Sequence, residues 1–203
     1  MVAVIDYDAG NIKSVQKALE FLGERVLVTR DSGEILRAER VILPGVGNFG
    51  DAMAKLEGFG LVPVMKEVAE RKTPFLGICL GLQLLFEESE ESPGVRGLGL
   101  LKGKILRIPK AEGLKIPQIG WNCLEYPSEG RLFQGVPEGS YVYFVHSYYL
   151  QAEKKEIVKA TAQYGVTVEA SVEQDNVFAC QFHPEKSSDA GLRILKNFLT
   201  VSG

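Results

Sequence analysis

The chain has 203 residues, 45% of them hydrophobic and 24% charged, with 23 Lys and Arg against 26 Asp and Glu for a formal net charge of −3. Length and composition fit one globular domain over 1–203 and exclude a disordered tail or a collagen-like fibre. With no basic excess, nucleic acid is not expected as a principal partner.

In chain order, β-branched and apolar runs at 2–5, 25–29, 40–43 and 75–78 read as strands. Between the first two, Asn11 is placed to cap a helix whose apolar residues Ile12, Val15, Leu19 and Leu22 recur at helical spacing, and Gly23 stops it. Amphipathic stretches at 51–56 and 61–70 separate the third strand from the fourth. This alternation predicts right-handed crossovers and an α/β fold, an open, doubly wound, mostly parallel sheet flanked by helices. From about residue 97 the texture changes to Gly- and Pro-punctuated runs. Those at 103–108, 141–145, 158–161 and 177–181 are expected as additional strands of the C-terminal half, several of them antiparallel. The closing stretch 190–199 aligns Leu192, Leu195 and Leu199 on one helical face, expected to pack back on the sheet.

Cys79, Cys123 and Cys180 are an odd set, too few and too far apart for a disulfide framework or a CxxC zinc site, which fits a reducing cytoplasm. The first residues lack a basic n-region, and no apolar run approaches the ~18 residues of a membrane span. A cytoplasmic chain with no membrane partner is the expectation.

The sharpest local feature is the run from Phe75 to Phe86, FLGICLGLQLLF, an apolar strand entering a helix with Cys79 at the junction and Gly77 and Gly81 two residues to either side. That is the cysteine counterpart of the GxSxG elbow, in which small neighbours let strand and helix approach and a strained turn presents the nucleophile. Free N–H groups at the helix start favour a thiolate there. A buried structural cysteine is the bland alternative; the flanking glycines favour the nucleophile. Its base must be His146 or His183, the only two histidines. His183 stands in Gln181-Phe182-His183-Pro184-Glu185, where an extended backbone puts Glu185 on the same side as the imidazole, able to fix its tautomer. The turn Pro44-Gly45-Val46-Gly47-Asn48-Phe49 follows the third strand, where a doubly wound sheet gathers its loops in one crevice. A backbone N–H of Val46 or Gly47 there, with that of Leu80, makes a two-donor oxyanion hole. Glu87-Glu88-Ser89-Glu90-Glu91 crowds four carboxylates near the end of the elbow helix; such a run is usually a solvated face, but one member can serve a substrate ammonium.

Taken together, these motifs resemble the class I, triad-type glutamine amidotransferases, and among them the glutaminase subunits of imidazole glycerol phosphate synthases. The resemblance covers nearly the whole chain. It rests on Asp6 to Val15, PGVGNF at 44–49, GICLGLQLLFEESEE at 77–91, Gly120-Trp121-Asn122, Tyr143 to Tyr149 and QFHPEKS at 181–187. It implies Cys79 as nucleophile, His183 as base and Glu185 as its orienting carboxylate. It further implies that Gly47, Gln83, Glu91, His146, Ser147 and Tyr148 surround glutamine, that no cofactor or metal is needed, and that ammonia is passed to a (β/α)8 barrel cyclase subunit in a heterodimer. Trp121 and Asn122, with the loop 115–120, are the candidate face for that partner. Family members are nearly silent until the cyclase binds its ligand, an effect attributable to reorientation of the PGVG turn. Leu82 stands where the family often has Met, and Gln118-Ile119 where a His-Met pair is common. Two alternatives remain at this level: a glutaminase serving another synthase, and a cysteine hydrolase of esters or peptides built on the same elbow.

Overall fold

The computed structural model describes residues 1–8 and 10–202; Ala9, within the N-terminal motif, and Gly203 lie outside the described residues. Strand β1 (Val2–Ile5) is followed by helix α1 (Ile12–Phe21), β2 (Val26–Thr29), α2 (Ser32–Arg37), β3 (Arg40–Gly45), α3 (Phe49–Gly58), α4 (Leu61–Glu70), β4 (Phe75–Cys79) and the short α5 (Leu80–Leu84). The second half runs β5 (Glu88–Ser89), β6 (Gly103–Arg107), β7 (Gln118–Cys123), β8 (Tyr141–His146), β9 (Tyr148–Ala152), β10 (Val158–Gln163), β11 (Thr167–Gln174), β12 (Val177–Cys180) and α6 (Ser188–Thr200), with a 3₁₀ turn at Pro184–Lys186 before α6.

Seven strands form the main sheet in the order β10-β11-β12-β4-β3-β1-β2. Its five strands from β12 to β2 are parallel, and β11 and β10 extend it antiparallel, as the change of texture in the sequence predicts. Side chains alternate across the sheet with the two-residue period of a strand. Val2, Val4, Ile42, Leu76 and Ile78 pack with α1 and α6 on one face, while Ala3, Ile5, Val41, Leu43 and Phe75 pack with α2, α3 and α4 on the other. Burial on both faces is why these strands read as near-continuous apolar runs. Two smaller sheets, β5-β6-β9 and β7-β8, stand beside the main one, and His146, Ser147 and Tyr148 form the joint between them.

Two expectations, the buried face of the last helix and the cap at Asn11, are corrected. Helix α6 buries Gly191, Ile194, Leu195 and Phe198, with Leu192 and Leu199 only flanking that face; the helix rests on its Ile194–Phe198 stripe, rotated from the leucine row. The elbow helix ends at Leu84, because the returning segment 97–101 takes its carbonyls: Leu98 N–H bonds the Leu84 oxygen at 2.8 Å and Leu100 N–H the Leu85 oxygen at 2.9 Å. The acidic run therefore leaves the helix before it begins, and its carboxylates accept from backbone N–H groups: Glu87 from Gly103, Glu90 from Arg107 and Glu91 from Phe49. Asn11 occupies the N-cap position of α1, but its side chain makes no capping bond among the described residues. The α3 helix carries the cap instead: Asn48 Oδ1 accepts from Gly50 and Asp51 N–H at 2.8 and 3.1 Å, which starts it two residues before the predicted stretch. Among the described residues no helix is long and apolar enough to cross a membrane.

Candidate active site

The parallel strands deliver their loops to one edge. In the register of β3 with β4, Gly45 lies opposite Cys79, so the glycine turn after β3 and the cysteine at the end of β4 are neighbours. Cys79 holds φ 56° and ψ −110°, a region a side chain rarely adopts, as a nucleophile elbow requires. The flanking glycines serve close approach. A Cβ on Gly77 would stand 2.7 Å from the Gly81 oxygen, and one on Gly81 would stand 1.9 Å from the Leu43 oxygen. A Cβ on Gly45 would meet Tyr7 Oη at 2.7 Å and Leu80 Cβ at 2.8 Å, so α5 sits directly against the end of β3.

His183 is 2% exposed, and its Nδ1 lies 2.8 Å from Oε1 of Glu185, whose side chain is wholly buried. The pair is held from behind. The His183 N–H donates to the Tyr143 oxygen, and Ser187 Oγ donates to the His183 carbonyl at 2.6 Å while accepting from Tyr143 N–H at 3.0 Å. His183 itself is extended, but Glu185 lies in the 3₁₀ turn with Pro184 at its first position, so the two side chains meet through a turn and not along an extended strand. Burial alone lowers the imidazolium. The charge of the neighbouring Cys79, with the hydrogen bond and charge of Glu185, overcomes that and lifts it to about 10. Asn11 Nδ2 donates to the same Glu185 Oε1 at 3.1 Å. His183 Nε2 and Glu185 Oε2 have no partner among the described residues, which leaves Nε2 available for proton transfer.

A cavity of about 280 Å³ opens beside Cys79, lined by Val46, Gly47, Leu80, Gln83, Glu91, Val145, His146, Ser147 and Tyr148. All the residues expected around a substrate line it, as do Val46 and Leu80 of the expected oxyanion hole. Gly47 has φ 102° with no atom near an added Cβ, the open turn that a swinging N–H needs. Gln83 Nε2 donates to the Tyr148 oxygen at 3.1 Å and to Gln181 Oε1 at 3.0 Å. Burial pushes His146 down to about 4, so the ring is neutral. Its Nδ1 lies 2.7 Å from the Tyr148 oxygen and its Nε2 2.8 Å from the Gln118 amide. Both ring nitrogens thus face oxygens, of the Tyr148 carbonyl and of Gln118 Oε1, and the neutral ring donates to one of them.

Sequence reasoning missed Gln181 and the partnership of Asn11. Gln181 is fully buried, with Nε2 3.8 Å from Cys79 Sγ. Its signal was a lone amide closing an apolar strand run. Asn11 gave none, its partner being 174 positions away. Ile119, Trp121 and Tyr141 are 63%, 53% and 61% exposed, and β7–β8 pairing sets Ile119 opposite Val145 and Trp121 opposite Tyr143. An apolar face thus runs from the cavity wall outward. Asn122 points away from it, its amide donating to the Gln163 oxygen at 2.9 Å. The cysteines are all free.

Comparison with known proteins finds the family described as glutamine amidotransferase class-I matching residues 3–201. The protein named imidazole glycerol phosphate synthase subunit HisH of Moorella thermoacetica is 55% identical over 197 residues, 97% of this chain and 93% of that one. The protein of the same name from Methanocaldococcus jannaschii is 46% identical over 201 residues, 99% of this chain and all of that one. A solved structure described as a glutamine amidotransferase superposes with a TM-score of 0.76 at 20% identity, covering 98% of this chain and 100% of that chain.

Proposed function

The chain belongs to the glutamine amidotransferase class-I family, and from that premise we propose that Cys79, His183 and Glu185 are the triad with which it hydrolyses glutamine. It acts as the glutaminase subunit of an imidazole glycerol phosphate synthase, the function for which its full-length relatives are named. The observation that carries the triad is the buried His183–Glu185 pair, 2.8 Å apart, behind a cysteine held at positive φ on the lip of a cavity. The Cys79 thiolate attacks the side-chain amide carbon of glutamine, and the developing oxyanion is met by N–H groups of the Val46–Gly47 turn and of Leu80. His183, protonated at Nε2 and steadied by Glu185, gives its proton to the departing ammonia, leaving a glutamyl thioester on Cys79. Water activated by the now neutral His183 hydrolyses the thioester to glutamate.

Glu91 is the group that receives the substrate ammonium, since its carboxylate lines the cavity, while Gln83, His146, Ser147 and Tyr148 hold the rest of the amino acid. A neutral His146 beside that cation avoids like-charge repulsion. Residues 1–203 are read as one glutamine amidotransferase domain, a reading supported by the single sheet that joins strands of both halves. The subunit has a partner subunit, and the partner we propose is a (β/α)8 barrel cyclase that takes the ammonia. The exposed Ile119, Trp121 and Tyr141 beside the cavity support a docking face there. The test is glutamate formation from glutamine by this chain with the cyclase and its ribonucleotide ligand, with each component omitted and with Cys79→Ala. Turnover that needs the partner and vanishes with Cys79→Ala is expected; turnover that survives Cys79→Ala refutes the assignment.

A further inference from the structure

We propose that Asn11 is a fourth member of the relay, a positioning residue that holds the Glu185 carboxylate in register with His183 by donating from Nδ2 to the oxygen that receives His183 Nδ1–H. The inference rests on the triad reading above and extends it.

Three observations carry it. First, Asn11 stands where a helix N-cap belongs, and an N-cap Asn normally turns its oxygen back to the first free N–H groups of its own helix; here the side chain makes no such bond among the described residues and reaches Glu185 at 3.1 Å. Second, Glu185 needs an anchor. Its side chain is wholly buried, it sits in a three-residue 3₁₀ turn, and its other oxygen has no partner among the described residues. Apart from His183, the hydrogen bond it accepts comes from Asn11 alone among the described residues. A buried carboxylate with one fixed oxygen and one free one can rotate about its last torsion, and a second donor on Oε1 selects the rotamer that serves the imidazole. Third, an amide is the suitable donor. It adds no charge, so it fixes the carboxylate without competing with the imidazolium for it, as a Lys or Arg there would.

The same contact ties the loop after β1 to the turn that carries Glu185, so the relay spans the two ends of the chain. A structural cap and a relay donor differ in what they tolerate. Asp is as good an N-cap as Asn and nearly the same size, but it replaces the donor with a second carboxylate facing Glu185.

The experiment compares Asn11→Asp, Asn11→Ala and Glu185→Gln with the wild-type chain. In the complex with the cyclase and its ribonucleotide, kcat and KM for glutamine are measured. On the full chain alone, the His183 Nδ1–H proton is followed by NMR, a tractable signal because the chain has two histidines. Asn11→Asp is expected to fold, yet to lose about tenfold or more in kcat at unchanged KM, the scale of one hydrogen bond to a buried charge. Its Nδ1–H signal is expected to broaden or vanish. Asn11→Ala should show the same kinetic loss; if it does not fold, Asn11→Asp, which keeps the size, decides. Wild-type kcat and a retained Nδ1–H signal in Asn11→Asp, with Glu185→Gln impaired, overturn the role of Asn11 alone. If Glu185→Gln is itself at wild-type rate with its signal intact, the triad reading beneath fails instead.

Discussion

Replacing Glu185 by Gln removes one charge from the centre of the relay and almost nothing from its volume. In the native chain the His183 imidazolium is lifted from the ordinary 6.5 to about 10, a preference for the protonated ring of about 5 kcal/mol at about 1.4 kcal/mol per pH unit. Two neighbours supply it against the cost of burial, Cys79 and Glu185, and loss of one opposite charge at this range lowers the imidazolium by about one to two pH units, about 2 kcal/mol or about 30-fold in its protonation equilibrium. The sign follows from the direction of the lift. A raised imidazolium is lost as pH climbs through its native value, so lowering that value brings the alkaline limb of kcat down by one to two pH units, by the same arithmetic. The neutral amide also offers Nδ1 a choice of oxygen or NH₂, and the wrong tautomer removes the proton from Nε2 altogether. The assay is glutamate release in the cyclase complex between pH 6 and 10, with protein integrity followed by thermal unfolding. A kcat within twofold of wild type and an alkaline limb that does not move would refute the account of His183 as a carboxylate-steadied acid.

Other expectations follow from the same geometry. Gly81→Ala forces a Cβ to within 1.9 Å of the Leu43 oxygen and should lower stability by more than about 3 kcal/mol or prevent folding, whereas Gly47→Ala, strained in φ but with open space around it, should fold at a cost of about 1–2 kcal/mol and lose glutaminase rate; chemical denaturation of both separates the two causes. His146 titrates near 6.5 in the unfolded chain and near 4 in the native one, so below pH 6.5 the unfolded state takes up a proton that the native state declines. Its share of stability therefore falls from pH 6.5 to 4 by about 3 kcal/mol and then levels, and urea midpoints of wild type and His146→Gln should converge on acidification; parallel curves count against a neutral buried ring. Trp121→Ala removes a half-exposed ring and should leave the thermal midpoint near wild type while weakening cyclase binding by about 30-fold or more, the mark of an interface anchor; unchanged affinity by calorimetry moves the docking face elsewhere.

The parallel core and the cysteine elbow were legible because their causes are local. A strand buried on both faces must be apolar throughout, as Val2 to Ile5 and Phe75 to Ile78 are, and a strand-to-helix turn with no room for a Cβ must carry glycines at Gly77 and Gly81. Strands β7 and β11 were not legible: Gly120 interrupts one and Glu169, Ser171 and Glu173 the other, and their pairing, not their propensity, makes them strands. The acidic run shows the same limit. Its carboxylates look like a solvated helix face until the segments at 97–101 and 103–107 return to end the helix and bond them.

The chain by itself determined that its first half builds a mostly parallel sheet, and it named the candidate nucleophile and the candidate histidine with its carboxylate, since each is written in residues adjacent in sequence. Only the tertiary structure decided that Asn11 serves Glu185 and not its own helix, that Gln181 stands behind Cys79, that His146 is a neutral wall of the cavity and that Ile119 and Trp121 share a face with Val145. Those relations join positions up to 174 residues apart, and a side chain's hydrogen-bond partner across such a distance is fixed by how the elements pack, which no local pattern encodes.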